Sequence, residues 1–382
     1  MKILTIFGTR PEVIKLFPVI QKLKQDERFN SLIVSTSQHR EMIKDLLSLF
    51  SIKPDYDLDI MRKNQTLVNI CTSALSRLDS LLKQHRPDLV LVQGDTTTAF
   101  IGALAAFYHK IPVGHVEAGL RSFNKMHPYP EEINRRLIST VCDLHFAPTI
   151  ENAKNLYNED IDPTKIFVTG NTVIDSLLYV ASKNRGTLNN YLPMEAFNSH
   201  RLILVTAHRR ENWGKPLENL CHALKDLARS CRDVEIVYPV HLNPNVRRTV
   251  FTILSNQERI YLIDPLPYEP FVEAMAKSYF IITDSGGIQE EGPSLRKPIL
   301  VFREVTERPE GLATGGVKLV GLKRENVFRE AFRLLENRSN FQKMIADHNP
   351  YGDGNAGLRV LKAILSYFDL SQDLIPGSLL CD

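Results

Sequence analysis

A chain of 382 residues is too long for one ordinary hydrophobic core, and two domains is the expectation its length sets. Its 43% apolar and 24% charged residues are those of a soluble globular protein and exclude a fibrous or disordered one. A formal net charge of +3, with Lys and Arg spread evenly, offers no nucleic-acid surface, and clusters such as "HRRE" and "NVRRT" read as solvated helix faces or loops.

"MKILTIFGTRPE" opens the chain as a strand running into a turn. Its apolar stretch is too short for a secretory signal, and nothing approaches a membrane-spanning length, so a soluble cytoplasmic protein is expected. "PEVIKLFPVIQKLKQ" follows with helical periodicity at Val13, Phe17, Ile20 and Leu23, and Pro11 suits a first turn. "SLIVST", "DLVLVQG", "IPVGHV", "DLHFAP" and "KIFVTG" then read as buried strands. Residues 182–200 lose periodicity and mark an irregular excursion. The pattern restarts with "RLILVTAH", "VEIVYPVH", "IYLID", "YFIITDS", "KPILVFR" and "VKLVG", separated by helical stretches such as "LENLCHALKDLARS" and "YEPFVEAMAKS". The five cysteines form no C-x-x-C pair and are odd in number, which reads as reduced thiols with neither zinc nor disulfides. No metal site is expected.

Strands alternating with helices, and apolar along their whole length, predict parallel sheets covered on both faces. The fold class is therefore α/β: two Rossmann-like doubly wound domains with a cleft between them. Ligands of such folds meet the carboxyl ends of the strands. The chemically unusual segments fall there: "GTRPE", "GDTTT" and "HVEAG" in the first half, "AHRREN", "VHLNP" and "DSGGIQEE" in the second.

The stretch "TDSGGIQEEGPS" combines an anion cradle with acid. Two glycines at a strand exit expose backbone N–H groups at a helix start, yet Glu290 and Glu291 stand in what reads as its first turn. No G-x-G-x-x-G follows the first strand, so a nicotinamide cofactor is not indicated. Neither a Walker lysine motif nor a G-x-S-x-G elbow is present. What remains is Ser285 with Gly286 and Gly287, the basic residues Arg10, Lys15, His208 and Arg209, and the carboxylates Asp95, Glu117, Glu131 and Glu132. A nucleotide sugar fits: its diphosphate needs N–H groups and cations, and its hydroxyls need carboxylate acceptors. Glu291 suits the ribose, and Glu290 reads as a first-turn carboxylate favoured by the helix dipole.

"FGTRPEVIK", "QHREM", "GDTTT", "GHVEAGLRS", "YPEEINRR", "VTGNTVID", "TAHRREN", "VHLNPNV", "DSGGIQEEGPSL", "TERPE" and "NPYGDG" together resemble the non-hydrolysing UDP-N-acetylglucosamine 2-epimerases of bacteria, in order from residue 2 to about 357. The resemblance implies a glycosyltransferase-B-type fold. Its domains would be 1–170, rejoined by a C-terminal helix at about 356–382, and 171–355, which binds UDP. It implies a homodimer, no cofactor, and interconversion of UDP-GlcNAc and UDP-ManNAc for surface polysaccharide synthesis. By resemblance Asp95, Glu117 and Glu131 are acid–base groups, with His208 beside them. Arg10, Lys15, His208, Arg209, Ser285, Gly286 and Gly287 form a diphosphate clamp, Glu291 anchors the ribose, and Phe271 flanks the uracil. Gln38, Gln65 and His241 belong to a second, activating UDP-GlcNAc site found in some members.

The chemistry supports the same choice. Inverting carbon 2 of the sugar requires removing a poorly acidic proton and returning it to the other face. Without NAD, the available route expels UDP from carbon 1 and reprotonates the resulting glycal, which needs acid–base carboxylates and a stabilised diphosphate. Each candidate also has a structural reading. Asp95 can cap the helix that follows it, worth about 1 kcal/mol. Glu117 can pair with Arg121, Glu131 can be an ordinary first-turn carboxylate, His208 can close a strand, and Phe271 can be core. A glycosyltransferase of the same fold, a hydrolysing relative and a nucleotide-sugar sensor remain alternatives.

Departures from the family pattern are local. Arg303–Glu310 reads R-E-V-T-E-R-P-E where R-D-T-T-E-R-P-E is usual, Arg296 stands at a frequent glycine and Gly292 at a frequent alanine, and His127 and Tyr129 replace a Ser and a Trp or Phe. Around the second site, Glu41 replaces a Gln and Asn64 an Arg, each making it more negative by one charge.

Overall fold

The short apolar runs become strands because Val, Ile and Leu fit a pleated surface covered on both sides. The computed structural model describes residues 1–37, 40–62, 65–192 and 200–370. It divides into Met1–Ser176 together with the chain from Tyr351 onward, and Leu177–Pro350.

The first unit is built on β1 (Lys2–Phe7), β2 (Asn30–Ser35), β3 (Tyr56–Asp57), β4 (Leu89–Gln93), β5 (Val113–Val116), β6 (Leu144–Ala147) and β7 (Ile166–Val168). Their order across the sheet is β3-β2-β1-β4-β5-β6-β7. Every pairing is parallel, with β1 central between β2 and β4. The two-residue β3 has no counterpart in the apolar runs, since its segment is dominated by Asp and Pro. The helix Arg10–Gln25 buries Val13, Phe17, Ile20 and Leu23, as its periodicity requires, and Phe17 stacks on Phe50 at 4.2 Å between ring centroids. The helix Leu67–His85 lays Leu78 and Leu82 on Leu4, Ile6, Val90 and Val92. The last described helix, Ala356–Tyr367, packs on Arg10–Gln25. A Cβ at Gly357 would come within 2.9 Å of Pro18, so glycine is what permits that approach.

The second unit repeats the plan with β8 (Arg201–Thr206), β9 (Val234–Pro239), β10 (Ile260–Ile263), β11 (Phe280–Thr283), β12 (Ile299–Val301) and β13 (Val317–Leu319). The order is β10-β9-β8-β11-β12-β13, again parallel throughout. Leu220, Leu224 and Leu227 of the helix Lys215–Ser230 pack on Ile203, Val205, Ile236 and Phe280. Both sheets reverse their winding at one place, between β1 and β4 and between β8 and β11. Each such switch point opens a crevice at the strands' carboxyl ends.

Cys142, Cys221 and Cys231 are buried and Cys71 is half-buried, all as free thiols, and burial pushes Cys221 up to about 12. The fifth, Cys381, lies outside the described residues, as does most of the expected excursion after residue 192. Among the described residues no helix is long and apolar enough to cross a membrane, and no cluster of three or more metal-ligating side chains occurs.

Candidate active site

In the first unit the switch point carries the turn after β1, with Arg10 at the start of its helix, and the turn after β4, with Asp95. Glu12 ties the first turn down: its fully buried carboxylate accepts from the N–H groups of Gly8 (2.9 Å) and Thr9 (2.7 Å) and from the Thr96 hydroxyl (2.6 Å). Burial raises its carboxyl above the ordinary range, against those three donors.

Asp95 does not cap the following helix. That cap is Thr96, whose hydroxyl accepts from the N–H of Ala99. The Asp95 carboxylate pairs instead with Arg135, and its carbonyl accepts from Asn134 Nδ2 at 2.9 Å. Glu117 does not pair with Arg121, which is taken by Glu159. One oxygen of Glu117 pairs with Lys15 and lies 3.4 Å from Asn171 Nδ2, while the other accepts from Gln93. Its backbone adopts a left-handed φ of +68°, which costs a non-glycine residue energy and turns the side chain out of the strand's alternation. Lys15, expected among the phosphate ligands, pairs with Glu117 in this arrangement.

Glu131 is the first residue of the helix Glu131–Val141, half-buried, with no hydrogen-bond or ion-pair partner among the described residues. Its neighbour Glu132 is the buried one. It accepts from the N–H groups of Ser122 (2.8 Å) and Phe123 (3.2 Å) and pairs with Arg135 and Arg136 at 3.1 Å. Burial alone would raise its carboxyl; those donors and cations hold it below the ordinary value. Glu132 therefore braces the segment that precedes the helix, and Glu131 is left presented.

In the second unit the switch point gathers His208 and Arg209 after β8 and Ser285, Gly286 and Gly287 after β11. The organiser is Asp284, fully buried and absent from the expected set. It accepts from the N–H of His208 (3.0 Å), the N–H of Arg209 (2.9 Å) and Asn212 Nδ2 (3.0 Å). His208 stacks on His241 at 5.5 Å between ring centroids. Burial, with the nearby His241 and Arg209, holds His208 below its ordinary value although Asp284 pulls the other way.

Gly286 opens the helix Gly286–Glu291, with Ser285 as its cap residue. A Cβ at Gly286 would stand 3.7 Å from Arg209 Nη2 and 3.8 Å from Arg308 Cζ, so two guanidinium groups flank its backbone. Glu290 and Glu291 close that six-residue helix rather than beginning it, so the dipole placement expected for Glu290 does not hold. Glu290 is buried and paired with Arg308, while a Cβ at Gly287 would lie 3.5 Å from Glu291 Oε1. Arg209 in turn pairs with Glu307 (3.1 Å) and Glu211 (3.3 Å), and Arg303 pairs with Glu307. Burial raises the Glu307 carboxyl less than Arg303 and Arg209 lower it, leaving it at about 2. Phe271 sits half-buried on the helix Tyr268–Lys277.

For the second site, Gln38 lies outside the described residues. Gln65 accepts from the N–H of Arg62 (2.8 Å) and donates to the Ile60 carbonyl (2.7 Å), and His241 accepts from the N–H of Asn243 (3.1 Å). Reading the sequence missed Gln93, Asn134, Arg135, Asn171, Asp284 and Arg308. Each stood inside a segment already singled out: Gln93 in "DLVLVQG", Asn134 and Arg135 in "YPEEINRR", Asn171 in "VTGNTVID", Asp284 in "TDSGGIQEEGPS" and Arg308 in "TERPE".

The family described as UDP-N-acetylglucosamine 2-epimerase matches residues 21–365. A Bacillus subtilis (strain 168) UDP-N-acetylglucosamine 2-epimerase is 48% identical over 375 residues, covering 98% of this chain and 97% of its own length. The Escherichia coli (strain K12) enzyme of that name is 49% identical over 370 residues, covering 95% and 98%. The crystal structure of UDP-GlcNAc 2-epimerase from Neisseria meningitidis bound to UDP-GlcNAc superposes with a TM-score of 0.86 at 48% identity, over 96% of this chain and all of that one. These relatives carry the glycosyltransferase-B fold, and the chain belongs to the UDP-N-acetylglucosamine 2-epimerase family.

Proposed function

We propose that this protein interconverts UDP-N-acetylglucosamine and UDP-N-acetylmannosamine without hydrolysis. The single observation that carries the reading is the arrangement after β4 and β5. There two carboxylates, Asp95 and Glu117, are each held by a cation, Arg135 and Lys15, and Glu131 is left presented on the helix that holds Asp95. A sugar-transfer site has no need of three acid–base groups, whereas proton removal and return at carbon 2 does.

In this reading a carboxylate takes the carbon 2 proton while the bond from carbon 1 to the diphosphate breaks. The C–H pair becomes the C1–C2 double bond, and the C–O pair leaves with UDP. A second group delivers a proton to the opposite face of carbon 2, and the diphosphate oxygen re-forms its bond to carbon 1. Arg209, Arg308 and the N–H groups at Ser285, Gly286 and Gly287 stabilise the departing diphosphate, with His208 beside them and Arg10 as a further cation. Glu291 holds the ribose and Phe271 flanks the base. The enzyme works as a cytoplasmic homodimer without a cofactor and supplies surface polysaccharide synthesis.

Incubation with UDP-GlcNAc in deuterated water, followed by NMR, tests this. UDP-ManNAc carrying deuterium at carbon 2 is expected. Free sugar would mean a hydrolase, and an unchanged substrate would mean transfer or sensing.

A further inference from the structure

The turn Gly94–Asp95–Thr96 is fastened at every residue, and by different elements. Thr96 donates its hydroxyl to Glu12, and Asp95 is held through its carbonyl by Asn134 and through its carboxylate by Arg135. Gly94 has a left-handed φ of +70° and donates its N–H to the Val116 carbonyl at 2.9 Å. Its own carbonyl meets the Nε2 of His115, a fully buried residue of β5, at 2.7 Å.

A carbonyl only accepts, so the imidazole hydrogen stands on Nε2. Nδ1 is then a bare lone pair, and it has no hydrogen-bond partner among the described residues. Burial holds His115 down to about 4, so the ring is uncharged near pH 7. The Gly94 carbonyl and the Asp95 N–H share one rigid peptide plane. Whatever fixes that carbonyl therefore fixes the plane from which the Asp95 side chain departs. No step of the proposed chemistry uses His115, yet it occupies the sheet position next to the strand that carries the turn.

We propose that His115 is a positioning residue: as the Nε2–H tautomer it locks the Gly94–Asp95 peptide and thereby aims the Asp95 carboxylate. This rests on the reading of Asp95 as an acid–base group. Misplacing a reacting group by about 1 Å costs roughly 100-fold in rate. His115→Leu, which removes the donor, is expected to lower kcat by about that factor with KM and UDP affinity unchanged. His115→Gln places an amide N–H near the Nε2 position and is expected to recover most of the loss.

The experiment has two arms. Nitrogen-15 shifts of the ring in the unaltered protein report the tautomer: Nε2–H is expected, and Nδ1–H overturns the proposal. Steady-state kinetics of both variants form the second arm. Unchanged kcat in His115→Leu overturns it, as does a His115→Gln variant as impaired as Asp95→Asn, and the latter holds even if the leucine variant does not fold. Wild-type protein that shows Nε2–H but does not epimerise refutes the proposed function and leaves the His115–Gly94 bond standing.

Discussion

The ammonium of Lys15 and the carboxylate of Glu117 form an ion pair between residues 102 positions apart, with side chains 19% and 11% exposed. A pair this shielded from water couples its two members more strongly than a surface pair would. Asp95→Asn, Glu117→Gln and Glu131→Gln are each expected to lower turnover by about 100-fold or more while UDP still binds. Lys15→Met should lower it too, and the Lys15→Met/Glu117→Gln double variant should lose less than the product of the two single losses. Strict multiplicativity in that cycle would dissolve the link between the two residues. Near-normal turnover in any carboxamide variant would remove that carboxylate from the catalytic set.

His208 sits below its ordinary value because burial disfavours the imidazolium and His241 and Arg209 add to the effect. An anion bound beside it reverses the balance by favouring the charged form. Following the His208 ring by NMR as pH is lowered, with and without UDP, should show its titration moving upward when UDP is present. An identical titration in both samples would take His208 out of the diphosphate set.

Glu307, held at about 2 against an ordinary 4.5, stabilises the folded chain where the unfolded side chain is ionised. By linkage that contribution is fully present above about 4.5 and drains away as pH falls toward about 2. The side chain is 48% exposed, so solvent screening keeps the effect small. Urea midpoints of the wild type and Glu307→Gln should therefore differ more at pH 6 than at pH 3. A gap independent of pH would contradict the assignment.

Arg296 closes the short helical turn Gly292–Leu295 in a left-handed conformation, φ +57°. That conformation costs a side-chain-bearing residue about 1–2 kcal/mol, a cost that the glycine implied here by the family resemblance would avoid. Glycine recovers this but loses some 0.4–1 kcal/mol through the flexibility of the unfolded chain. Arg296→Gly should thus stabilise the protein by up to about 1 kcal/mol, visible as a raised midpoint of unfolding. A lowered midpoint would show that the arginine makes a compensating contact.

We propose that Glu41 and Asn64, each more negative by one charge than the pattern the resemblance implies for activated members, disfavour a second diphosphate ligand. Pure UDP-ManNAc should therefore be converted without added UDP-GlcNAc. Silence until a trace of UDP-GlcNAc is supplied would show that activation persists.

The sequence by itself determined the alternation of buried strands and amphipathic helices. Periods near 3.6 and continuous apolar runs are local properties, and Val13, Phe17, Ile20 and Leu23 had to face a sheet. It also placed the polar residues at strand exits, because a turn that leaves a buried strand is where polar groups first reach water. The two-residue β3 escaped notice because strand pairing across β2, not apolar character, makes it a strand. Partners were decided by tertiary structure alone. Asp95 is next to a helix it was free to cap, but the order β1-β4-β5 and the helix after residue 130 bring Arg135 to its carboxylate and leave the cap to Thr96. Arg121 stands four residues from Glu117, yet the left-handed backbone at Glu117 aims its carboxylate at Lys15 and Gln93. Charges settle on whichever opposite group the sheet order delivers within reach, and that order is fixed by burial of the strands, not by the polar residues at their ends.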